Sequence, residues 1–492
     1  MNPGDQNSVA QSALLTIAMR WASRLVGIAS TLILARLLVP EDFGITAMAS
    51  MVLGIASMFV DIGVNVALIR NVDATADHYH SAWTLRLAQA VLIALILITA
   101  APFAGVYFHD PRVTPVLIVV ALSVPISSLE NIGVVTFQKN MQFGLEFRYQ
   151  LTNRLAGFLF VVGAALLMRN YWALVIGSTA GQVFGVLNSY RVHPMRPRLG
   201  FKKAREILSF SQWMLLQNIG GYLDGSLHKI LVGRRDSTAA MGAYTLADGI
   251  AAMPSSELMQ PLNRVLFPAF VAAKHDLAEL KRIFLLAQSL QVLIALPAAV
   301  FMSLLAADLV PVLLGPKWTP AVPLLRTLAL GSAMLAFRSS AWYVSITLGR
   351  ERWSALVDWA QVVAFVVLCF VIYPGALAQQ IAEFRVLVPV LGLVFQLLIC
   401  ARALGNLSVG DLWRAIWRPV AAIALSAAAL ELLPIPALAL PLVLALKCIV
   451  CGVVYLSSVL LLWWAGGTPN GAERYLWDRA SGVFAGLRSR YV

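Results

Sequence analysis

The segments RLLVPEDFG, Arg36 to Gly44, and RRDSTAAMG, Arg234 to Gly242, each open with an arginine and close with a glycine at the same spacing. Each follows a long apolar run and forms the first loop of one half of the chain. Two more pairs recur in the same order. AQAVLIAL (Ala88 to Leu95) echoes AQSLQVLIAL (Ala287 to Leu296), and DPRVTPVLIVVALS (Asp110 to Ser123) echoes GPKWTPAVPLLRTLALGS (Gly315 to Ser332). The last pair shares Pro-x-x-x-Pro with threonine before the second proline: Pro111 and Pro115, Pro316 and Pro320. Three matches in order, at offsets of roughly 198 to 205 residues, mark an internal duplication.

The sequence around these loops is that of a membrane protein. It is 492 residues long, 60% hydrophobic and 12% charged, with mean hydropathy +0.79. Soluble chains carry about 25% charged residues. Fourteen apolar stretches of membrane-spanning length run from Ala13–Val39 to Ala437–Trp464. The leader MNPGDQNSVAQS has no basic residue, so the first of them reads as a membrane helix and not a cleaved signal. The expectation is an all-α polytopic membrane protein with a six-helix bundle over 1–190 and a cytoplasmic amphipathic linker over 191–212. A second six-helix bundle covers 213–402, an additional helix pair 403–465 and a cytoplasmic tail 466–492. Six helices return the chain to its starting side, so the halves are parallel repeats related by an axis along the membrane normal.

Basic residues set the orientation. With the N-terminus cytoplasmic, the inner loops and tail hold 21 arginines and lysines against 6 outside, which places both termini in the cytoplasm. The net charge of +13 is then a topology signal with some affinity for lipid headgroups. No soluble domain exists to present a basic face to nucleic acid. Cys448 and Cys451 form a C-x-x-C, but no second ligand pair or histidine neighbour supports zinc, so no metal is expected.

Inside the first span, LLTIAMRWASRLVGIASTLIL (Leu14 to Leu34), Arg20 and Arg24 lie four residues apart on one helix face. Each costs roughly 2.5–3.5 kcal/mol near a helix centre, so a function is implied. Asp61 is a lone carboxylate in the second span. Asp224 and His228 are spaced i, i+4 in the seventh, followed by Lys229, and Asp248, Glu257 and Arg264 lie in the eighth. Arg326, Arg338, Asp358, Glu383 and Arg385 read as packing pairs or interfacial residues. Pro254, Pro261 and Pro268 punctuate the eighth span every seven residues and suit a bending helix. Gly177, Gly181 and Gly185 make a small-residue ridge for close helix approach.

The run ARLLVPEDFGITAMASMVLGIASMFVDIGVNVALIRN (Ala35 to Asn71) resembles the polysaccharide transporter branch of the MOP (multidrug/oligosaccharidyl-lipid/polysaccharide) exporters, as do NRVLFPAF (Asn263 to Phe270) and LVPVLLGPKW (Leu309 to Trp318). The resemblance implies two six-helix bundles in a V around a cationic central cavity, usually with two further helices. It also implies a flippase that carries undecaprenyl-diphosphate-linked oligosaccharide repeat units to the outer leaflet of the bacterial inner membrane, for exopolysaccharide or lipopolysaccharide assembly. On that reading Arg20, Arg24 and Lys229 meet the diphosphate. Asp61, Asp224, His228, Asp248 and Glu257 tune cavity charge or couple an ion. The local alternative is that Arg20 snorkels to the cytoplasmic edge and Arg24 pairs with Asp61. No cofactor is expected. Expected partners are the lipid-linked oligosaccharide, membrane lipids and the polysaccharide polymerase and export machinery, around a monomer.

Two other classes compete. A MATE-like multidrug or cation exporter of the same superfamily calls for a carboxylate-rich cavity, whereas the first span here is cationic. An integral-membrane polysaccharide polymerase calls for a large outer catalytic loop. The longest outward loop, near Asp308 to Ala321, is about a dozen residues and carries no acid–base or metal constellation.

Overall fold

A computed structural model describes residues 21–60, 64–71, 73–208, 211–405, 407–432, 438–469 and 471–488, and among them the chain is helical, with no strand. Arg20 and Asp61 lie outside the described residues. Helix α1 covers residues 21–37. The loop that follows carries its own helix start. Pro40 opens α2 (Pro40–Val60), where a missing N–H is no loss, and Glu41 and Asp42 stand at the positive end of the helix dipole. The Val39 N–H donates to the Asp42 carboxylate at 3.0 Å. Its counterpart in the second half uses a different cap: the Ser237 hydroxyl accepts from Ala240 N–H at 3.1 Å and starts α11 (Thr238–Ala251).

Between them lie α3 (Val64–Arg70), α4 (Ala76–Tyr107), α5 (Val113–Ser128), α6 (Val135–Lys139), α7 (Phe143–Met168), α8 (Trp172–Val192), α9 (Ala204–Leu208) and α10 (Ser211–Arg235). After α11 come α12 (Gln260–Ala272), α13 (Leu277–Leu304), α14 (Ala306–Leu313), α15 (Ala321–Thr347), α16 (Glu351–Val367) and α17 (Ala378–Leu404). The chain closes with α18 (Val409–Leu432), α19 (Leu440–Ala465) and α20 (Ala472–Arg488).

Among the described residues eight helices are long and apolar enough to cross a membrane, or nine if Val113–Ser128 and Ile132–Lys139, bent by 65°, form one span. The first two expected spans run into residues outside those described. The eighth breaks into α11, a π-helical turn at Pro254–Met259, and α12. Proline lacks the N–H and crowds the preceding turn, which is why the regular helix stops before Pro254. Pro261 falls in the first turn of α12, where it costs nothing, and Pro268 lies inside that helix.

Two compact units divide the chain within α11: Met1–Thr245 and Leu246–Val492. In the first, Leu34, Leu38, Ala165 and Ala173 form a buried cluster. Helices α7 and α8 approach closely because Gly177 has no side chain; a Cβ there would stand 2.5 Å from the Val161 Cα. Helix α4, at 32 residues, is about 48 Å long against roughly 30 Å of hydrocarbon, so part of it projects. Its polar first turns hold the segment between α8 and α9. Ser81 and Thr84 accept the N–H groups of Lys203 and Gly200 at 3.0 and 2.9 Å, and His78 Nε2 contacts the Glu206 carboxylate at 3.0 Å. Hydrogen bonds from Lys203 and then His78 hold that exposed carboxyl below its usual range.

In the second unit Leu266, Phe270, Leu280, Phe284, Val344 and Cys400 form a buried cluster. Gln396 is the polar hub: its amide donates to the hydroxyls of Ser345 and Ser354 at 2.9 and 3.0 Å, tying α17 to α15 and α16. Arg338 pairs with Asp358 at 2.8 Å across α15 and α16, as a packing pair. Lys447 of α19 pairs with Asp308 of α14. Helix α20 is seated by a buried ion pair, Arg418 to Glu473 at 2.8 Å, whose loss on one side costs about 3–5 kcal/mol by stranding the other charge.

Candidate functional site

Within the first unit, α1, α5, α7 and α8 enclose a cavity of about 520 Å³. Helix α1 contributes Gly27, Ser30 and Thr31, α7 contributes Asn153 and Arg154, and α8 contributes Gln182. The Arg154 guanidinium leans on α1 at Gly27, where a Cβ would lie 2.9 Å from Nη2. Arg24 is half-buried on α1, three residues earlier and about 4.5 Å along the axis, outside the cavity lining. The buried Gln182 Oε1 has no hydrogen-bond partner among the described residues, so it is an acceptor in wait of a donor.

Glu130, the acidic member of the lining, is spoken for. It follows the end of α5, where the 65° bend leaves helix carbonyls without intrahelical partners. Arg86 of α4 fills that gap. Its Nε and Nη2 donate to the Ser128 carbonyl at 3.2 and 3.0 Å, it donates to the Glu130 carbonyl, and its Nη1 lies 3.6 Å from the Glu130 carboxylate. The Tyr149 hydroxyl donates to the other carboxylate oxygen. Arg86 and Arg154 escape a sequence reading because each falls within four residues of a span's start, where a cation reads as a boundary marker. The signal available was that both would sit inside helices continuing toward the N-terminal side.

The remaining expected site residues are dispersed. His228 is buried, with Nδ1 2.8 Å from the Tyr244 hydroxyl and Nε2 3.1 Å from the Gly225 carbonyl. Nε2 can only donate to that carbonyl, and Nδ1 shares a hydrogen bond with the tyrosine hydroxyl, so both ring nitrogens are engaged. Asp224, one turn before, is exposed, and Lys229 is half-buried about 100° further round α10. Asp248 is half-buried on α11; Glu257 is half-buried in the π turn and accepts from the Ser256 hydroxyl at 3.0 Å.

A second feature joins the two repeated loops. A Cβ on Gly44 would lie 1.9 Å from the Thr238 carbonyl oxygen, and one on Gly242 would lie 1.8 Å from the Pro40 carbonyl oxygen. Gly44 and Gly242 close the matching segments, and Pro40 and Thr238 occupy matching positions within them. The contact is thus reciprocal, as at an isologous interface: each loop's glycine receives the other's carbonyl. Tyr222 extends it, donating to the Met51 carbonyl at 2.7 Å with its ring against Gly54. Arg234 donates to the Tyr107 carbonyl at 2.7 Å and stacks over that ring, 5.2 Å from its centroid.

Asp110, from the repeated DPRVTP segment, pins this crossing. Its carboxylate takes a bidentate pair from Arg112, at 3.0 and 2.8 Å, and the Thr238 hydroxyl at 2.9 Å. Burial pushes the Asp110 carboxyl up, but the Arg112 and Thr238 hydrogen bonds outweigh it and the net is a lowered pKa. A depressed folded-state pKa adds stability that is complete above the unfolded value of about 3.9 and lost as pH falls through the folded value. Asp110→Asn is therefore expected to lower the unfolding temperature of the purified protein near neutral pH. The gap to wild type should narrow only below about pH 4; a gap that does not change with pH assigns the loss to something other than the ionised carboxylate.

Comparison with known proteins places this geometry. Residues 33–323, more than half of the chain, match the polysaccharide biosynthesis protein family. The succinoglycan biosynthesis transport protein ExoT of Rhizobium meliloti is 25% identical over 353 residues, 71% of each chain. The lipopolysaccharide biosynthesis protein WzxC of Escherichia coli is 23% identical over 311 residues, 62% of each chain. Among solved structures, the lipid II flippase MurJ in an inward closed conformation superposes with TM-score 0.71 at 12% identity, covering 92% of this chain and 99% of that one. An inward-facing MATE family multidrug transporter of the MOP superfamily superposes with TM-score 0.56 at 14% identity, covering 78% and 96%. This is a multi-pass membrane protein on the fold shared by those transporters, and it belongs to the polysaccharide biosynthesis protein family.

Proposed function

We propose that the chain is a flippase, not an enzyme, that moves undecaprenyl-diphosphate-linked oligosaccharide repeat units from the cytoplasmic to the outer leaflet of the inner membrane. Both termini face the cytoplasm, and the halves 1–190 and 213–402 work as parallel repeats. The observation that carries this reading is the pair of guanidinium groups, Arg24 and Arg154, that α1 and α7 bring within one helical turn of Gly27. A diphosphate cannot cross hydrocarbon without counter-charge, and arginine offers permanently charged, planar donors matched to phosphate oxygens. Lys229 adds a third cation from α10. Asp224, Asp248 and Glu257 set the local charge, and His228 holds α10 to Tyr244. The names of ExoT and WzxC, which concern succinoglycan and lipopolysaccharide, support a polymer precursor as cargo over a drug. The reciprocal crossing of the repeated loops supports alternating access, since matching loops that close one side can part as the other side closes.

The test is the sidedness of lipid-linked glycan in cells lacking the protein. Repeat units accumulating on the cytoplasmic leaflet, relieved by the wild-type gene, are the expected result. Units that still reach the outer leaflet but stay unpolymerised return the polymerase reading.

A further inference from the structure

A cavity of about 820 Å³ in the second unit lies between α13, α18 and the start of α20. Its α13 wall is one helical face, Arg282, Leu285, Leu286 and Ser289 at i, i+3, i+4 and i+7. Along it the lining passes from a charge near the helix start to apolar residues and then to Ser289, about 10 Å deeper. Ser289 is 2% exposed, and its hydroxyl has no hydrogen-bond partner among the described residues. A buried hydroxyl left without a partner in a protein interior calls for a donor or acceptor that belongs there.

The charges of the pocket almost cancel, and the remainder is informative. Four arginines and two aspartates line it. Asp411 is 2.7 Å from Lys281, Arg282 is 2.6 Å from Glu279, Arg418 is 2.8 Å from Glu473, and Arg474 is 3.8 Å from Asp478. Arg414 of α18 has neither an ion pair nor a hydrogen bond among the described residues. One positive charge is left over, and guanidinium groups that already hold a carboxylate keep N–H donors to spare. The missing partner therefore carries one negative charge, accepts several hydrogen bonds, and has an apolar part that suits Leu285, Leu286 and Trp417.

We infer that this pocket binds the phosphodiester headgroup of an anionic phospholipid, with Arg414, Arg282 and Arg474 on the phosphate and the glycerol end toward Ser289. A phosphodiester carries the single charge required, whereas a diphosphate brings about two. Basic pockets between membrane helices are a recurring seat for such headgroups. Since the walls come from α13, α18 and α20, the bound lipid joins the C-terminal helix to the bundle. The inference stands whether or not the protein is a flippase.

The full-length protein is placed in phosphatidylcholine nanodiscs with and without phosphatidylglycerol. Unfolding temperature and phosphatidylglycerol retained in native mass spectrometry are then measured. Phosphatidylglycerol is expected to raise the unfolding temperature by several degrees. Arg414→Gln should cut retained phosphatidylglycerol about fivefold, the worth of one basic residue at an anionic surface, and Arg414→Lys should recover part of it. Arg414 is exposed and holds no hydrogen bond or ion pair among the described residues, and Arg474→Gln tests the opposite wall. Equal retention by wild type and both glutamine variants overturns the site. So does inorganic phosphate reproducing the stabilisation in phosphatidylcholine alone, which makes it a free-anion site.

Discussion

Gly44→Ala is expected to reduce polymer export to below a tenth of wild type while the protein remains in the membrane at normal level. Real Cβ atoms essentially never approach another heavy atom closer than 3.0 Å, and this one would start 1.9 Å from the Thr238 carbonyl oxygen. The obstacle is backbone, so no rotamer relieves it, and α2 and α11 must separate by more than an ångström. Overpacking of this kind costs about 1–3 kcal/mol or more, and 1.4 kcal/mol already shifts a two-state balance tenfold. Separation also pulls Thr238 from Asp110, whose hydrogen bond is 2.9 Å in the closed crossing. Because the contact is reciprocal, Gly242→Ala meets the Pro40 carbonyl at 1.8 Å and should reproduce the phenotype. Gly225→Ala, on the exposed side of α10 with nothing within 4 Å, should export normally. The measurement is polymer yield in a deletion strain, normalised to protein in the membrane fraction. Normal export by Gly44→Ala at wild-type level removes this crossing from the working cycle.

The same pair of glycines measures how far the sequence can be read. The matched spacing in RLLVPEDFG and RRDSTAAMG is legible as a repeat, because both copies need a glycine at the same place. That the two copies touch is not legible, since spacing reports what a helix requires and not which helix it meets. Asp110 is similar: it belongs to a recognisable DPRVTP segment, but its bond to Thr238 joins residues 128 apart in the chain. Pro254 could be read directly, because a proline's effect on the preceding turn is local, and the regular helix does stop there. Arg86 and Arg154 were missed for the opposite reason. Each owes its meaning to a distant partner: the open carbonyls at the bend after α5 for Arg86, the bare backbone of Gly27 for Arg154. The linker between α8 and α9 reads from sequence as an amphipathic surface segment, but that three of its amides, those of Arg198, Gly200 and Lys203, donate to His80, Thr84 and Ser81 on one face of α4 is not legible there.

Arg24→Ala is expected to abolish export under the flippase reading, and Arg154→Ala to reduce it strongly. A hydrogen bond to a charged group is worth about 1.5–3 kcal/mol, so each arginine that meets a diphosphate accounts for roughly a 10- to 100-fold effect. Lysine is the discriminating substitution. Arg24→Lys keeps the charge and loses the planar fork, so partial activity marks a bidentate phosphate contact, while full activity marks a requirement for charge alone. A structural role predicts something else: loss of protein from the membrane with alanine and recovery with any long side chain. Solvent access separates these outcomes further. In a variant with Cys369, Cys400, Cys448 and Cys451 replaced by serine, Arg24→Cys should react with a small water-soluble thiol reagent, because a cation held for a polar cargo must face water when the cargo is absent. A thiol that stays inert throughout the cycle, together with normal export by Arg24→Ala, leaves Arg24 as a packing residue and removes the reason for assigning the diphosphate to this helix.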